Sequence, residues 1–313
     1  MNNLYRLGKS HISGGPKTFT ETFENFFSIK LIEVSIFFGL FVRRSLIFII
    51  INGNSRIFKQ IIYYLFTKHI IILRVGGYLS VNPVERAPLR VRFKFQLRRI
   101  IMYINFIFSH KLLFQSKFSY NIHMNDFVLR KIIHKKKYTI IHNPTDRSLP
   151  NDLQNHGNYI LVVEGAFGLK IHQDLLKTFS RRFKIIAAGN YDGPNIQNVK
   201  FLGHVSRDKI SNLYLGKPLA FLSLEQFGCC PNSVIEALSH STPVIGINNG
   251  ALKELIGDGG KVFEHFPSES KVDQTLAFMV ANYTKLSQKA FEESKKFNSN
   301  LVLKKYEEFF SDN

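Results

Sequence analysis

The second half of the 313-residue chain alternates short apolar runs with amphipathic segments, and this alternation restricts the fold more than any other feature. Such alternation is typical of a parallel sheet covered by helices. It predicts strands at 159–163, 184–188, 199–202, 219–224, 243–247 and 261–263. It also predicts helices at 172–179, 207–215, 231–239 and 251–256, followed by helices at about 272–284 and 288–297. We therefore expect an α/β domain.

The first half also contains apolar runs that indicate buried strands, although its pattern is less regular. These runs lie at 45–51, 69–75, 111–116 and 139–144. The polar, glycine-containing segment 151–157 predicts a linker. We therefore predict two α/β domains, residues 1–150 and 151–299, with a ligand cleft between them.

Positive charge is concentrated in the first half. Residues 1–150 contain 24 Lys and Arg and 6 Asp and Glu, a net charge of 24 − 6 = +18, whereas the whole chain carries +19. Such a field attracts phosphates, anionic lipid headgroups or nucleic acid. A solubilising surface is the alternative interpretation. It is less favoured because the second half is almost neutral.

Cysteine usage and hydropathy bear on location. The only two cysteines, Cys229 and Cys230, are adjacent in sequence, and neighbouring cysteines rarely form a disulfide, which favours a reducing, cytosolic setting. The N-terminal residues lack the apolar core of a signal peptide. The most apolar stretch, 36–51, carries Arg43 and Arg44 at its middle, which a helix in lipid would bury at high cost. We expect a cytoplasmic protein without a membrane span.

Residues 222–263 carry the densest chemical signal. The predicted strand ends at Leu224, the loop 225–230 follows, and Pro231 starts a helix, a position where the missing N–H of proline costs nothing. A helix start offers backbone N–H groups and the positive end of the helix dipole, which suits a diphosphate at the carboxyl ends of parallel strands. Glu236 lies one to two turns into this helix, where its carboxylate can accept hydrogen bonds from both hydroxyls of a ribose.

This segment resembles the C-terminal domain of the family-4 retaining glycosyltransferases, which have the GT-B fold. That family carries a Glu-x7-Glu motif around a Phe-Gly loop, and Glu225, Phe227 and Gly228 match its first part. The rest of the family pattern is matched by Glu236-Ala237, Thr242-Pro243-Val244-Ile245, Gly250-Ala251 with Glu254, and Gly257-Asp258-Gly259-Gly260.

The chain departs from the family pattern at the first glutamate. Ten residues separate Glu225 from Glu236, whereas the family has seven. Either three residues are inserted and Glu225 keeps its role, or Gly228 occupies that position and the site lacks the carboxylate. Phe-Gly follows Glu225 at the expected offset, which favours Glu225.

Weaker matches extend the resemblance to the first half. Gly14-Gly15 is similar to a glycine turn that approaches the donor phosphates, where a side chain would block the backbone, although Gly-Gly is also common in ordinary loops. The segment 73–77 resembles an Arg-x-Asp-Gly element in which Gly76 replaces the acid. The segment 140–146 resembles a hinge strand, with Asn143 and Asp146 in matching places.

The resemblance also implies two phosphate-binding cations after the strand at 159–163. The family has an arginine directly after the glycine, but here Ala166 follows Gly165. Lys170 remains as the candidate cation, and a solvated lysine at a helix start is its alternative interpretation. Other cations, such as Arg6, Lys9 or Lys17, would then have to compensate for the missing arginine.

The resemblance implies a retaining transfer of sugar from a UDP- or GDP-sugar to a glycan or lipid-linked acceptor, as in polysaccharide or glycoconjugate synthesis. No metal and no other cofactor is expected. The implied catalytic residues are Glu225, which would contact the sugar hydroxyls, and Lys170, which would contact the diphosphate. Glu236 would bind the ribose of the donor. The implied donor-binding residues also include Gly14, Gly15, Phe227, Gly228, Asn232, Ser233, Gly250 and Ala251. The implied fold is GT-B, with two Rossmann-like domains facing a central cleft. A last helix near 301–310 is expected to cross back to the N-terminal domain, so that residues 300–313 pack on it.

Two alternative functions remain open. Ala166 and Gly76 stand where the family has charged residues, which favours a catalytically weak or inactive GT-B protein that binds nucleic acid or a membrane. A nucleotide-sugar epimerase is less favoured because its carboxylate and histidine set is not recognisable. For the transferase, the basic half predicts docking on an anionic membrane or on a lipid-diphosphate acceptor.

Overall fold

The computed structural model describes residues 4–6, 24, 47–51, 57–76, 89–146, 155–163, 173–191, 193–225 and 227–311. The chain divides into two compact units, Met1–His142 with Val302–Asn313, and Asn143–Leu301. The second unit thus begins at Asn143, before the polar segment 151–157. Gly157, the last residue of that segment, already belongs to a strand.

The first unit contains a parallel sheet of five described strands. In spatial order they are β1 (Leu4–Arg6), β2 (Ile47–Ile51), β3 (Ile70–Val75), β4 (Lys111–Phe114) and β5 (Lys137–Ile140). Strand β4 is buried throughout and β3 nearly so, as central strands of a parallel sheet are. The strand expected at 139–144 starts two residues earlier and ends at Ile140.

The helices described in the first unit follow the strands. They are α1 (Ile57–Phe66), α2 (Leu89–Ile107), α3 (Lys117–Met124) and α4 (Phe127–Ile133). The side chains of Ser116 and Asp126 accept hydrogen bonds from the first turns of α3 and α4, which satisfies amides that have no partner within the helix. The core beneath them contains Tyr63, Ile71, Leu73, Phe106, Leu112, Phe114, Leu129 and Ile133.

The second unit contains a parallel sheet of six described strands. They are β6 (Gly157–Val163), β7 (Ile185–Ala188), β8 (Val199–Phe201), β9 (Pro218–Leu222), β10 (Val244–Ile247) and β11 (Gly260–Phe263). Their spatial order is β11-β10-β9-β6-β7-β8, so the strand order reverses between β6 and β9. In open parallel sheets, ligands bind at the carboxyl edge beside such a switch point. The loop with Glu225 follows β9 and leaves the sheet there.

The helices described in the second unit connect its strands or follow the last one. They are α5 (Gln173–Ser180), α6 (Arg207–Leu215), α7 (Asn232–Ser239), α8 (Leu252–Ile256), α9 (Glu269–Ala281) and α10 (Tyr283–Ser294), with a 3-10 turn at Lys295–Phe297. Two predicted starts were several residues late. Helix α9 starts at Glu269 because the Ser268 side chain caps it, and α10 starts at Tyr283, directly after the single residue Asn282. Among the described helices, none has the length and apolarity needed to cross a bilayer.

The last helix, α11 (Ser299–Ser311), returns the chain to the first unit, as the predicted fold requires. Its apolar residues pack with Ile72, Leu113 and Ile141. Lys111 Nζ donates a hydrogen bond to Phe309 O at 3.1 Å, and Arg74 Nε donates to the Tyr306 hydroxyl at 3.3 Å. The buried residues of α11 in this core are Val302, Leu303, Tyr306, Phe309 and Phe310.

Candidate functional site

The loop after β9 packs against the turn that precedes α8. The N–H of Phe227 donates to Asn249 O at 2.6 Å, and the N–H of Ala251 donates to Gly228 O at 2.9 Å. Phe227 has a φ of +56°, which is rare for a residue with a bulky side chain, and the residue is 42% exposed. Strained loop residues of this kind cluster at functional sites. The structure thus brings together Phe227, Gly228, Gly250 and Ala251, all predicted from the sequence.

Gly250 permits this close approach of two backbone segments. A Cβ at position 250 would lie 2.8 Å from the carbonyl oxygen of Gly228 and 3.0 Å from its nitrogen. Both are backbone atoms, which cannot rotate away as a side chain does. Glycine is therefore needed here for space.

Glu225 occupies the space that a side chain at position 228 would need. A Cβ at Gly228 would lie 2.5 Å from Glu225 Cγ and 3.0 Å from Glu225 Oε1. The two positions that the sequence left open for the first glutamate are therefore neighbours, and the Glu225 side chain fills the space beside Gly228. Burial raises the pKa of the Glu225 carboxyl, because the charged form loses water.

Helix α7 begins beside this loop without a side-chain cap among the described residues. Its N-cap residue is Pro231, whose φ of −65° and ψ of 122° are extended, so the helix starts one residue later than predicted. The first turn therefore keeps amides that no cap satisfies, together with the positive end of the helix dipole. These are the features that an anion site needs.

Glu236 lies in the second turn of α7 and is partly buried. Burial raises the pKa of its carboxyl, and the guanidinium of Arg207 opposes this effect. Arg207 Nη2 lies 3.8 Å from Glu236 Oε1, and its side chain is 64% exposed. Arg207 is the first residue of α6. It was not identified from the sequence, because 29 positions separate it from Glu236 and no motif links them.

Two further residues hold the start of α7 in place. Asn143 Nδ2 donates to Cys230 O at 2.8 Å and to Asn232 Oδ1 at 2.6 Å. The buried hydroxyl of Tyr214 donates to Ser233 O at 3.2 Å, and burial raises the pKa of Tyr214 well above its ordinary value. The sequence placed Asn143 in a hinge strand without this contact, and Tyr214 carried no signal. Asn232 and Ser233, both predicted, thus lie at a fixed helix start.

Several predicted residues lie outside the described residues, namely Gly14, Gly15 and Lys170, together with Ala166. Gly76 is described, and its carbonyl accepts a hydrogen bond from the Ser119 hydroxyl at 3.2 Å. Within the described ranges, no three His, Cys, Asp or Glu side chains are grouped so as to hold a metal ion. The expectation of transfer without a metal stays a prediction.

Residues 154–297, all within the second unit, match the family described as Glycosyl transferases group 1. No match is found among curated protein sequences. In fold, the chain is similar to a glycosyltransferase from Rickettsia africae ESF-5, with a TM-score of 0.70 and 16% identity over 100% of this chain and 99% of that one. It is also similar to the lipopolysaccharide outer core galactosyltransferase WaaB, with a TM-score of 0.64 and 14% identity over 99% of each chain.

A third similar structure is the pneumococcal O-GlcNAc transferase GtfA in complex with UDP and GlcNAc, with a TM-score of 0.61 and 14% identity over 88% of this chain and 59% of that one. The chain spans the same share, 59%, of two other matched structures. These similarities establish the GT-B fold, which was predicted. Together with the group 1 domain, they support glycosyl transfer.

Proposed function

We propose that the protein is a retaining glycosyltransferase of family-4 type that moves a sugar from a UDP- or GDP-sugar to a glycan or lipid-linked acceptor without a metal ion. The bond between the anomeric carbon and the diphosphate oxygen breaks, and a bond to the acceptor oxygen forms on the same face of the sugar. The nucleoside diphosphate leaves with the electron pair of the broken bond and takes up the proton that the acceptor hydroxyl loses.

The arrangement of Glu225, Glu236 and the uncapped start of α7 carries this proposal. The diphosphate would bind at the helix start, between a carboxylate for the ribose (Glu236) and one for the sugar hydroxyls (Glu225). An ionised carboxylate only accepts hydrogen bonds, so it suits hydroxyl ligands. Because burial disfavours both charges, donated hydrogen bonds from a ligand would be strong there.

The positive charge for the diphosphate is the incomplete part of the site. We propose Lys170 as one cation. Because Ala166 stands where the family has an arginine, a second cation must come from another position. Arg207 is a further candidate, because its exposed guanidinium lies 3.8 Å from Glu236. In this proposal Arg207 also favours the ionised form of Glu236, since its charge opposes the rise that burial causes in the pKa of that carboxyl.

A binding protein without catalytic activity is the second candidate. The observation that favours it is the replacement of two charged family residues by Ala166 and Gly76. Nucleotide-sugar binding with turnover supports the enzyme. Salt-sensitive binding of RNA without nucleotide binding supports the alternative.

A thermal-shift screen of UDP-, GDP- and ADP-sugars tests the donor site, followed by a nucleoside diphosphate release assay with candidate acceptors. We expect one nucleotide class to raise the melting temperature of the wild type. Glu236→Ala and Glu225→Gln should weaken both binding and turnover. Glu292→Gln is the matched control, because Glu292 lies on the exposed side of α10 and pairs with Lys295. Equal loss in the control, or no loss in Glu236→Ala, would contradict the proposed site.

We also propose that the basic first half brings the enzyme to an anionic membrane surface on the cytoplasmic side. Lipid-linked acceptors lie at such surfaces, so docking would raise their local concentration. Co-sedimentation with liposomes tests this. Binding that is independent of anionic lipid and of salt would contradict it.

A further inference from the structure

Helix α2 presents an apolar stripe to solvent. Phe93, Leu97, Ile100 and Ile107 are 70%, 47%, 53% and 44% exposed. Ile104, also partly exposed, lies between the last two. Their spacings of 4, 3, 4 and 3 residues place all five on one side of an α-helix. A continuous stripe of large exposed apolar residues marks an interaction surface.

The carboxyl half of α2 is fixed to the rest of the first unit. Phe106 is 1% exposed in the core, and Gln60 Nε2 donates to Asn105 O at 3.0 Å. Arg99 Nη2 and the Tyr103 hydroxyl both bind Asp126 Oδ2, at 2.9 Å and 2.8 Å. In contrast, all residues from 96 to 100 are exposed. The amino half of the stripe thus projects from a firmly held helix.

The helices that pack on α2 expose further large apolar side chains. They belong to α1 and α4 and are Phe58, Leu65, Phe66, Phe127 and Val128. On α4, Lys131 Nζ lies 4.1 Å from the centre of the Phe127 ring. Apolar and cationic groups are therefore interleaved on these helices, as they are on surfaces that bind lipid.

The charge of this region has one sign. The described residues 57–76 and 89–142 contain 15 Lys and Arg but one acid, Asp126. The Asp126 side chain is 2% exposed, so these ranges expose no carboxylate. Helix α2 alone contains five basic residues and no acid. A partner for this surface must therefore be anionic as well as apolar.

We propose that the α2 stripe inserts into an anionic lipid bilayer, with Phe93, Leu97 and Ile100 at the headgroup–acyl boundary and the exposed Arg98 on lipid phosphates. This inference rests on the proposed membrane association and specifies the surface responsible. A bilayer offers both negative charge and an apolar layer. Nucleic acid offers the charge but no partner for Leu97 or Ile100, and a second copy would place like charges together.

The absence of tryptophan from the sequence allows a direct test. Phe93→Trp creates a single tryptophan on the stripe. Phe278→Trp creates one at a control position, 53% exposed on α9 of the second unit. With phosphatidylcholine vesicles containing phosphatidylglycerol, the emission of the Phe93→Trp protein should shift to the blue and be quenched by brominated acyl chains. The Phe278→Trp protein should show neither effect. No shift in the first variant, or equal shifts in both, overturns the inference.

A second test removes the stripe. The triple substitution Phe93→Gln, Leu97→Gln and Ile100→Gln should weaken vesicle binding by about tenfold or more, because the apolar contribution is lost while the arginines remain. In the control variant, glutamine replaces three residues that are similarly exposed in the second unit, namely Phe266, Phe278 and Val280. This variant should bind vesicles as the wild type does.

Each failure has a separate signature. Unchanged vesicle binding by the stripe variant overturns the inference but leaves membrane docking. Preferential binding of RNA, or a dimer in light scattering that the stripe variant dissociates, overturns it in favour of another partner. Turnover on a soluble acceptor should be equal in both triple variants. If turnover is absent from the wild type while vesicles still bind, the proposed enzyme fails and the stripe assignment stands.

Discussion

Substituting Gly250 with alanine should damage the candidate donor site while leaving the fold of the second unit intact. The added Cβ would lie 2.8 Å from Gly228 O, whereas ordinary contact begins at 3.4 Å. The loop must therefore move by about 3.4 − 2.8 = 0.6 Å. A shift of that size can stretch the hydrogen bond from Ala251 N to Gly228 O from 2.9 Å to about 3.5 Å.

The expected cost combines overpacking with a weakened hydrogen bond, about 1–3 kcal/mol of unfolding free energy. In a domain of this size each kcal/mol lowers the melting temperature by about 2–4 °C, so we expect a decrease of roughly 2–12 °C. Displacement of the loop also moves Phe227 and Gly228. Because misplacement by 1 Å can reduce turnover about a hundredfold, we expect a loss of about ten- to a hundredfold in kcat/KM.

The assay pairs Gly250→Ala with Gly246→Ala in melting and nucleotide-sugar turnover measurements. A Cβ at Gly246 would also meet an atom at 2.8 Å, but that atom is the Cδ1 of Leu252, the end of a flexible side chain. Gly246→Ala should therefore lose little activity. If the Gly250→Ala protein has the wild-type melting temperature and kcat/KM, the close approach of the two loops is wrong. Equal losses in both variants would point to general damage.

Three other predictions follow from buried or paired charges. Glu225→Gln and Glu236→Gln should each raise the melting temperature of the unliganded protein at neutral pH while lowering turnover. The reason is that burial raises the pKa of both carboxyls in the folded state, so the folded protein loses stability as the pH rises through that pKa. A lower melting temperature in both variants would refute this. Arg207→Ala should shift the loss of donor binding on acidification to higher pH, because Arg207 lowers the pKa of Glu236; titration calorimetry against pH checks it. Burial lowers the pKa of His123 from 6.5 to about 4. The contribution of neutral His123 to the free energy of unfolding is therefore complete above pH 6.5, and about 3 kcal/mol should be lost as the pH drops from there through 4. In urea titrations, the free energy of unfolding of the His123→Gln protein should decline less over this pH range.

The elements of the second unit could be predicted because each is specified locally. Strand β9 is a continuous apolar run that is buried throughout. After it, Gly228 is typical of a loop and Pro231 is typical of the start of a helix. The choice between Glu225 and Gly228 could not be made in this way. It depends on where the Glu225 side chain lies relative to the Gly228 backbone, which counting residues along the chain does not reveal.

The contacts that position the site are long-range and leave no local pattern. Asn143 reaches Asn232 across 89 positions, and Tyr214 reaches Ser233 across 19. The sequence pattern likewise did not predict α2. An apolar stripe at helical spacing is ordinarily packed in a core, so only the exposure of Phe93 and its neighbours in the structure identifies it as a surface.

The candidate site combines three features that cost stability and that simple substitutions would remove. Phe227 has a positive φ that glycine would adopt freely. Glu225 and Glu236 are carboxyls whose charge burial disfavours, and glutamine would lack that charge. Helix α7 begins with Pro231 and no side-chain cap among the described residues, although serine or aspartate there would add about 1 kcal/mol. Each cost alone is common in folded proteins. All three meet at the switch point of one sheet, where ligands bind in this class of fold. A ligand that contacts the Phe227 ring, the two carboxylates and the start of α7 explains this better than a loop that only contacts solvent.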